Sequence, residues 1–257
     1  MKRTLYVAWQ AIESRKWYTI GVLTHEPDKG YLFRYLRGVE EAQKDGFTGI
    51  SAFPEFYLSY TSDRLFSFFA NRVLSSDRPS YKELIEQVGL QPVGDSTSPE
   101  YLFEFLRRTR GWRATDSFEM FSPVEKVGDE YRWDFFTRAL RHAPEGIQRR
   151  WIEESPTLPM RMAPDLHNMS DPTAVFVMDC KHCFMGFVPG NYSSTIHELV
   201  TRAVPGSIDL RVLRHNKREE LHQKRFLLEM RVKMPADFQL TQPRELEPLV
   251  NMDESVA

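Results

Sequence analysis

Six short apolar segments in the second half of the chain constrain the fold more than any other feature of the sequence. Each is short enough to be a strand, and turn residues bound most of them. The predicted strands are 132–141, 158–163, 173–179, 183–188, 208–214 and 225–233. Helical segments are predicted at 144–154 and at 194–203, where Thr195 and Glu198 have the spacing of a capping box. Several short strands with only two helices are typical of a small β-barrel, which we predict over residues 126–235.

The first half of the chain begins with alternating apolar and polar residues and then becomes helical. Leu5, Val7 and Trp9 alternate, and further strand-like segments follow a polar break up to residue 35. Helical spacing and capping residues follow at 38–45, 63–74, 80–89 and 98–111. We therefore predict a small antiparallel sheet with helices over residues 1–125, and an α+β class for the whole chain.

The two halves are separated by a polar segment, and the chain ends in an acidic one. Ser122-Pro123 and Gly128-Asp129 bracket residues 122–130, as expected at a domain boundary. Residues 236–257 contain five acidic residues and one basic residue. We expect them to form a flexible acidic tail.

The composition of the chain indicates which cellular compartment and which kinds of partner are expected. The net charge is −2, so a nucleic-acid contact would need a local basic surface. No apolar run approaches the roughly 20 residues that span a bilayer, and the N-terminus does not resemble a signal peptide. With only two cysteines, a disulfide scaffold is not expected. We expect a cytoplasmic protein without a membrane segment.

Motifs for catalysis and cofactor binding are absent from the sequence. It contains no GxSxG, HExxH or P-loop pattern, and we expect a non-catalytic protein without a cofactor. A nuclease built from scattered acids such as Asp165 and Asp171 stays open. Cys180 and Cys183 form a single CxxC with His182 between them, and a structural zinc site needs four ligands. The same spacing also serves redox chemistry, although a redox pair normally opens a helix in a βαβ unit. Because this CxxC lies between two predicted strands, a hairpin turn is the alternative interpretation.

Two basic clusters are candidate nucleic-acid contacts. The first lies in the loop before the last predicted strand and comprises Arg214, Lys217, Arg218, Lys224 and Arg225. A positive loop at a barrel rim suits phosphate contacts, and a solvated hairpin tip is the alternative. The second surrounds Trp112 between Arg107 and Arg113, where charge and stacking could hold a single strand. Cations that stabilise the end of a helix dipole are its alternative.

The second half resembles the HIRAN domain in the order and spacing of several sequence elements. The matching elements are Phe135-Phe-Thr-Arg-Ala-Leu-Arg-His142, Leu158-Pro-Met-Arg-Met162, Asp165–Met178 and Met185-Gly-Phe-Val-Pro189. They cover about 100 residues, 132–233. The resemblance implies an OB-like barrel, and in DNA-repair translocases such domains capture the 3′ end of single-stranded DNA.

The resemblance assigns DNA contacts residue by residue. Arg141 and His142 match the Arg-aromatic pair of the first strand, and Asn168 and Asp171 match the central motif. That motif's Pro and Tyr are replaced by Met169 and Ser170, which removes stacking worth about 1–3 kcal/mol per base. Tyr192 is the candidate that could supply an aromatic ring instead. The alternative for Asn168 and Asp171 is a turn in which each accepts hydrogen bonds from its own backbone.

The first half resembles the N-terminal subdomain that precedes the catalytic domains of HipA-type kinases. The elements that match are Ile20-Gly-Val-Leu23, Tyr31-Leu-Phe-Arg-Tyr35, Phe53-Pro54 and Leu65–Arg72, and no kinase motif follows them. The resemblance implies packing or partner binding without phosphoryl transfer. The aromatic loop from Phe47 to Tyr60 is the candidate contact surface.

Two binding functions follow from these resemblances. The first is a DNA-binding protein of bacterial stress response or phage defence, which contacts single strands or DNA ends through the HIRAN-like half. The second is a protein-interaction module, an antitoxin-like regulator of a separate HipA-type kinase.

Overall fold

The computed structural model describes residues 2–91, 95–218 and 221–250. These residues form a mixed α and β structure with three antiparallel sheets and six α-helices. The chain divides into two compact units. Of the described residues, the first comprises 2–86, 90–91, 95–123 and 242–250, and the second comprises 87–89, 124–218 and 221–241. No helix in the described part of the chain is both long and apolar enough to cross a bilayer.

The first unit contains a five-stranded antiparallel sheet in the order β4-β3-β2-β1-β5. Its strands are β1 Arg3–Gln10, β2 Trp17–Glu26, β3 Gly30–Tyr35, β4 Ser59–Ser62 and β5 Phe118–Phe121. Leu5 pairs with Leu23, and Leu23 pairs with Phe33 on the next strand. Directly paired residues share a face, and all three of these are at most 1% exposed. The predicted alternation thus marks the buried face of this sheet.

Four helices lie in the first half of the chain: α1 Gly38–Lys44, α2 Ser67–Ala70, α3 Tyr81–Gln87 and α4 Pro99–Thr109. The start of α4 agrees with its predicted cap, because the Ser98 hydroxyl accepts a hydrogen bond from the Tyr101 amide at 3.3 Å. Arg110 ends this helix in the left-handed region, with φ of 59°. The helix predicted over 63–74 is wrong in length: Phe66 is extended, so α2 is a single turn.

The aromatic loop from Phe47 to Tyr60 contributes buried side chains to the core of the first unit, and other residues of the loop are exposed. Phe47 and Phe53 are buried, and the Phe53 ring stacks on Phe33 with centroids 4.0 Å apart. The Tyr35 hydroxyl donates to the Phe53 carbonyl at 2.7 Å and accepts from the Ile50 amide at 2.9 Å. The loop is therefore fixed from within by its buried residues, and the prediction of a contact surface concerns its exposed residues.

One carboxylate of α4 gives the first unit an acid-sensitive contact. Burial opposes ionisation of Glu104, but hydrogen bonds and charge from Arg107 and Arg108 outweigh it and lower its pKa to about 2. A depressed folded-state pKa stabilises the protein above pH about 4.5, and this stabilisation is lost as pH falls toward about 2. Because the side chain of Glu104 is 38% exposed, we expect this contact to add at most about 1 kcal/mol to the free energy of unfolding.

The measurement is urea unfolding of the parent and of Glu104→Gln at several pH values between about 6 and 3. We expect the parent to lose more of its free energy of unfolding than the variant over this range. Equal losses in the two proteins would contradict the assignment of this acid sensitivity to Glu104.

The second unit contains two antiparallel sheets. One has the order β11-β12-β7-β6 and the other the order β10-β9-β8. The strands are β6 Glu125–Val127, β7 Glu130–Phe136, β8 Arg161–Pro164, β9 Val175–Met178, β10 Phe184–Phe187, β11 Ile208–His215 and β12 Phe226–Lys233. A single bridge between Arg138 and Phe187 links the two sheets. Within the described residues, the hydrogen bonds between strands trace no closed barrel.

Two helices complete this unit, α5 Glu145–Glu153 and α6 Ser193–Arg202. The capping box predicted at Thr195 is wrong, because a 3-10 turn at Gly190–Tyr192 leads directly into α6. Glu198 lies inside the helix, where its carboxylate accepts hydrogen bonds from the Thr241 amide and hydroxyl.

The segment predicted to be a flexible acidic tail is partly ordered. The Leu249 amide donates to the Tyr35 carbonyl at 3.1 Å, and the Arg37 amide donates to the Glu247 carbonyl at 2.9 Å. Leu36 and Pro248 form a β-bridge. Residues 242–250 thus satisfy backbone groups at the end of β3 and just after it, which corrects the prediction for this stretch. The rest of the predicted tail, 251–257, lies outside the described residues.

Candidate nucleic-acid interface

The residues assigned to the first strand of the HIRAN-like half lie beyond the end of that strand. β7 ends at Phe136, and Ala139 then adopts a left-handed conformation with φ of 62°. This turns the chain into a 3-10 turn at Leu140–His142, so the strand predicted to residue 141 is too long. The side chains of Arg141 and His142 are exposed in this turn.

The backbone of this turn is anchored while its basic side chains face solvent. The Gln148 amide group donates to the carbonyls of Arg141 and Ala143, at 3.1 and 2.7 Å. Arg141 Nε lies 3.1 Å from His142 Nε2. Arg141 thus presents an exposed cation on a fixed backbone, with His142 accepting its hydrogen bond, and this arrangement suits contact with an anion.

Asn168 and Asp171 build turns in the loop between β8 and β9. Asn168 Oδ1 accepts from the amides of Ser170 and Asp171, at 3.1 and 3.0 Å. Asp171 Oδ1 accepts from the Thr173 amide at 2.9 Å and its hydroxyl at 2.7 Å. These are the local hydrogen bonds expected from the alternative interpretation, in which Asn168 and Asp171 form turns by accepting from their own backbone. Each named oxygen already has two donors, which leaves it little capacity for a ligand.

Tyr192 is also an internal residue. It is 6% exposed, and its ring centroid lies 4.2 Å from that of Trp133. Trp133 in turn stacks on Phe135 with centroids 4.1 Å apart. The Tyr192 ring is therefore part of the core and does not present a face for stacking on a base.

The basic loop divides into a buried and an exposed part. Arg225 is 0% exposed, and its Nη1 donates to the Asn216 carbonyl at 2.5 Å. Arg214 Nε donates to Asn216 Oδ1 at 3.2 Å. Lys217 and Arg218 are exposed, and Lys217 Nζ donates to the Glu153 carbonyl at the end of α5. Arg225 is therefore a structural residue, in contrast to its prediction as a DNA contact.

A basic patch forms where residues 138–142 meet the 3-10 turn at His222–Lys224. Arg138 Nη1 donates to Gln223 Oε1 at 2.9 Å, which joins the two segments. The pKa of Lys224 is lowered, first by burial and second by the positive charge of Arg138. We name Arg138, Arg141 and Lys224 the basic patch. Arg138 was not among the contacts predicted from the sequence, although it lies in the run that carries the HIRAN resemblance.

The second predicted cluster, around Trp112, is paired with acids. Glu104 bonds to Arg107 and Arg108, and Arg110 pairs with the largely buried Glu119. Trp112 is 64% exposed. The pairing favours the alternative interpretation, in which these cations stabilise the end of α4.

The CxxC lies in the hairpin between β9 and β10, as the alternative interpretation expected. Cys180 and Cys183 are free thiols of intermediate exposure. In the described parts of the chain, no group of three His, Cys, Asp or Glu side chains could hold a metal ion.

These observations define a mixed α and β protein with a basic patch on its second unit. No family model matches the chain, and comparisons with curated proteins and with solved structures return no match.

Proposed function

We propose that the second unit binds single-stranded DNA through the basic patch and has no catalytic role. The observation that carries the proposal is the placement of Arg138 beside the partly buried Lys224, where the two like charges disfavour each other. An anion bound between them would relieve this repulsion. A phosphate group suits the site, because Arg141 stands exposed on the same segment as Arg138.

The proposal includes an OB-like, HIRAN-like architecture for the second unit. It is supported by the bridge from Arg138 to Phe187, which extends the order of strands from β12 and β7 to β10 and β9. Asn168, Asp171 and Tyr192 are engaged within the protein, so the proposed contacts differ from those of the family. Binding would depend on the phosphate backbone and would tolerate changes of base sequence.

The test is fluorescence anisotropy of a labelled oligodeoxynucleotide with the full chain at low salt. Lys224→Ala and Arg141→Ala each remove one cation of the basic patch, and we expect each to weaken binding about tenfold. The slope of affinity against salt should also fall, by roughly 0.7 for each lost phosphate contact. An oligonucleotide with a 3′ phosphate should bind as well as one with a 3′ hydroxyl.

Lys233→Ala is the matched control for Lys224→Ala. Lys233 lies at the opposite end of β12, roughly 20 Å along the strand. Its side chain is 56% exposed, and its Nζ pairs with Asp129 at 3.8 Å. It is therefore an exposed lysine that lies outside the basic patch. Equal loss of binding in both variants would indicate general attraction to a polyanion and would contradict the proposal. Absence of binding to any DNA at low salt would also contradict it.

A second candidate is a module that binds a HipA-type kinase through the first unit. One observation favours it: Tyr57 and Leu58, within the aromatic loop, are 70% and 50% exposed. Exposed aromatic and aliphatic side chains on a fixed loop are typical of contact surfaces. Failure to bind DNA together with co-purification of such a kinase would favour this candidate over the first.

A further inference from the structure

The hairpin between β9 and β10 is held from several directions by one buried carboxylate. Asp179 has a side chain that is 0% exposed, and its Oδ1 accepts from the amides of Lys181 and Cys183, at 2.9 and 3.0 Å. Its Oδ2 accepts from Arg150 Nη2 at 3.2 Å. The Cys180 amide donates to the Thr157 carbonyl at 3.1 Å. The positions of both cysteines are thus fixed by hydrogen bonds outside their own side chains.

The guanidinium of Arg150 on α5 makes a separate contact through each of its three nitrogens. Nε donates to Glu154 at 2.9 Å, Nη2 to Asp179, and Nη1 to the sulfur of Cys183. Burial alone would lower the pKa of Arg150. The hydrogen bond to Glu154 and the electrostatic interactions with Cys183, Asp179 and Glu154 raise it. The guanidinium holds the sulfur of Cys183 beside a positive charge, which is the kind of setting in which reactive cysteines are found.

The turn also sets the distance between the two thiols. The His182 amide donates to the Asp179 carbonyl, and the Asp179 amide donates to the Cys183 carbonyl, so Asp179 and Cys183 close the hairpin. Cys180 is the residue next to Asp179 inside this short loop, and a disulfide joins Cα atoms roughly 4.4–6.8 Å apart. Both thiols are of intermediate exposure and accessible to a small oxidant.

We propose that Cys180 and Cys183 are a reversible dithiol–disulfide pair in which Cys183, held by Arg150, is the nucleophile. The Cys183 thiolate attacks the outer oxygen of a hydroperoxide, the O–O bond breaks, and the departing oxygen leaves as water or an alcohol after protonation. This gives a sulfenic acid at Cys183. The Cys180 thiol then attacks that sulfur, forms the S–S bond and expels water. The pair loses two electrons, and the hydroperoxide gains them.

The test is treatment of the full chain with hydrogen peroxide, followed by alkylation of the remaining thiols and mass spectrometry. We expect an intrachain disulfide that dithiothreitol reverses. In Cys180→Ser the reaction should stop at a sulfenic acid on Cys183, which dimedone traps. In Cys183→Ser we expect Cys180 to react several-fold more slowly, because Arg150 contacts the other sulfur.

Arg150→Gln tests the positioning role of the guanidinium, and Arg149→Gln is its control. Arg149 is an exposed neighbour on the same helix that pairs only locally, with Glu145 at 2.7 Å. We expect several-fold slower disulfide formation in the first variant and the parent rate in the second, with circular dichroism confirming that both fold. Equal rates in all three proteins, thiols that stay open to alkylation, or disulfides only between chains would each overturn the proposal.

Discussion

Replacing Arg72 with Met is expected to lower the free energy of unfolding of the first unit by about 3–5 kcal/mol. The Arg72 side chain is 1% exposed. Its two terminal nitrogens donate to the Asp116 carboxylate at 3.1 and 2.7 Å, and one of them also donates to the Gly111 carbonyl at 2.8 Å. The guanidinium carbon lies 4.3 Å from the centroid of the Phe68 ring. Met can replace the packing but leaves the carboxylate and the carbonyl without these donors.

Urea unfolding measures this change, and Arg64→Ala is its control. Arg64 is an exposed arginine of the same unit, so we expect its replacement to change the free energy of unfolding by less than about 0.5 kcal/mol. The double variant Arg72→Met with Asp116→Asn should recover part of the loss, because no carboxylate is then left unpaired. If Arg72→Met proved as mild as Arg64→Ala, the buried ion pair would not stabilise the fold as argued.

Replacing Arg225 with Met is expected to lower the free energy of unfolding by about 3 kcal/mol, while the folded variant keeps its affinity for DNA. Arg225 is fully buried and bonds to the Asn216 carbonyl. Asn216 itself bridges two segments, because its side-chain amide donates to the Gln87 and Lys224 carbonyls at 2.9 and 2.6 Å. Loss of the guanidinium therefore removes support from the start of β12.

Lys224→Ala is the matched comparison, because the two residues are adjacent in the sequence and opposite in expected effect. The folded-state pKa of Lys224 is lowered, so its charge opposes folding below its ordinary pKa, and its removal should cost little stability. Its removal should instead weaken DNA binding. Urea unfolding and anisotropy on both variants separate the two roles. A folded Arg225→Met protein with weakened DNA binding would contradict the structural role assigned here.

The elements of the fold followed from local patterns in the sequence to a large extent. The alternation that includes Leu5, the capping serine before α4 and the short apolar segments of the second half all predicted elements that the structure contains. Errors arose where one backbone conformation followed the early end of an element or delayed its start. Ala139 turns the chain out of β7, and Phe66 is extended immediately before α2. Neither residue carries a side-chain signal for such a turn.

The candidate site was predictable in composition but not in geometry. The sequence showed that basic residues cluster before the last strand, and it raised both the phosphate-contact and the solvated-tip interpretations. It could not show that Arg225 is buried while Arg138, some 80 residues earlier, bonds to Gln223. Pairs so distant along the chain are placed only by the strand pairing of β7 with β12.

The sequence by itself determined the α+β class, most strands and helices, and the turn-forming role open to Asn168 and Asp171. These properties depend on residues near one another in the chain, where periodicity and side-chain hydrogen bonding act locally. Only the tertiary structure decided which charged and aromatic groups are buried. Tyr192 and Arg225 could equally have faced solvent, and packing against Trp133 and the Asn216 carbonyl placed them inside. Burial of such groups depends on partners that folding brings together from distant segments.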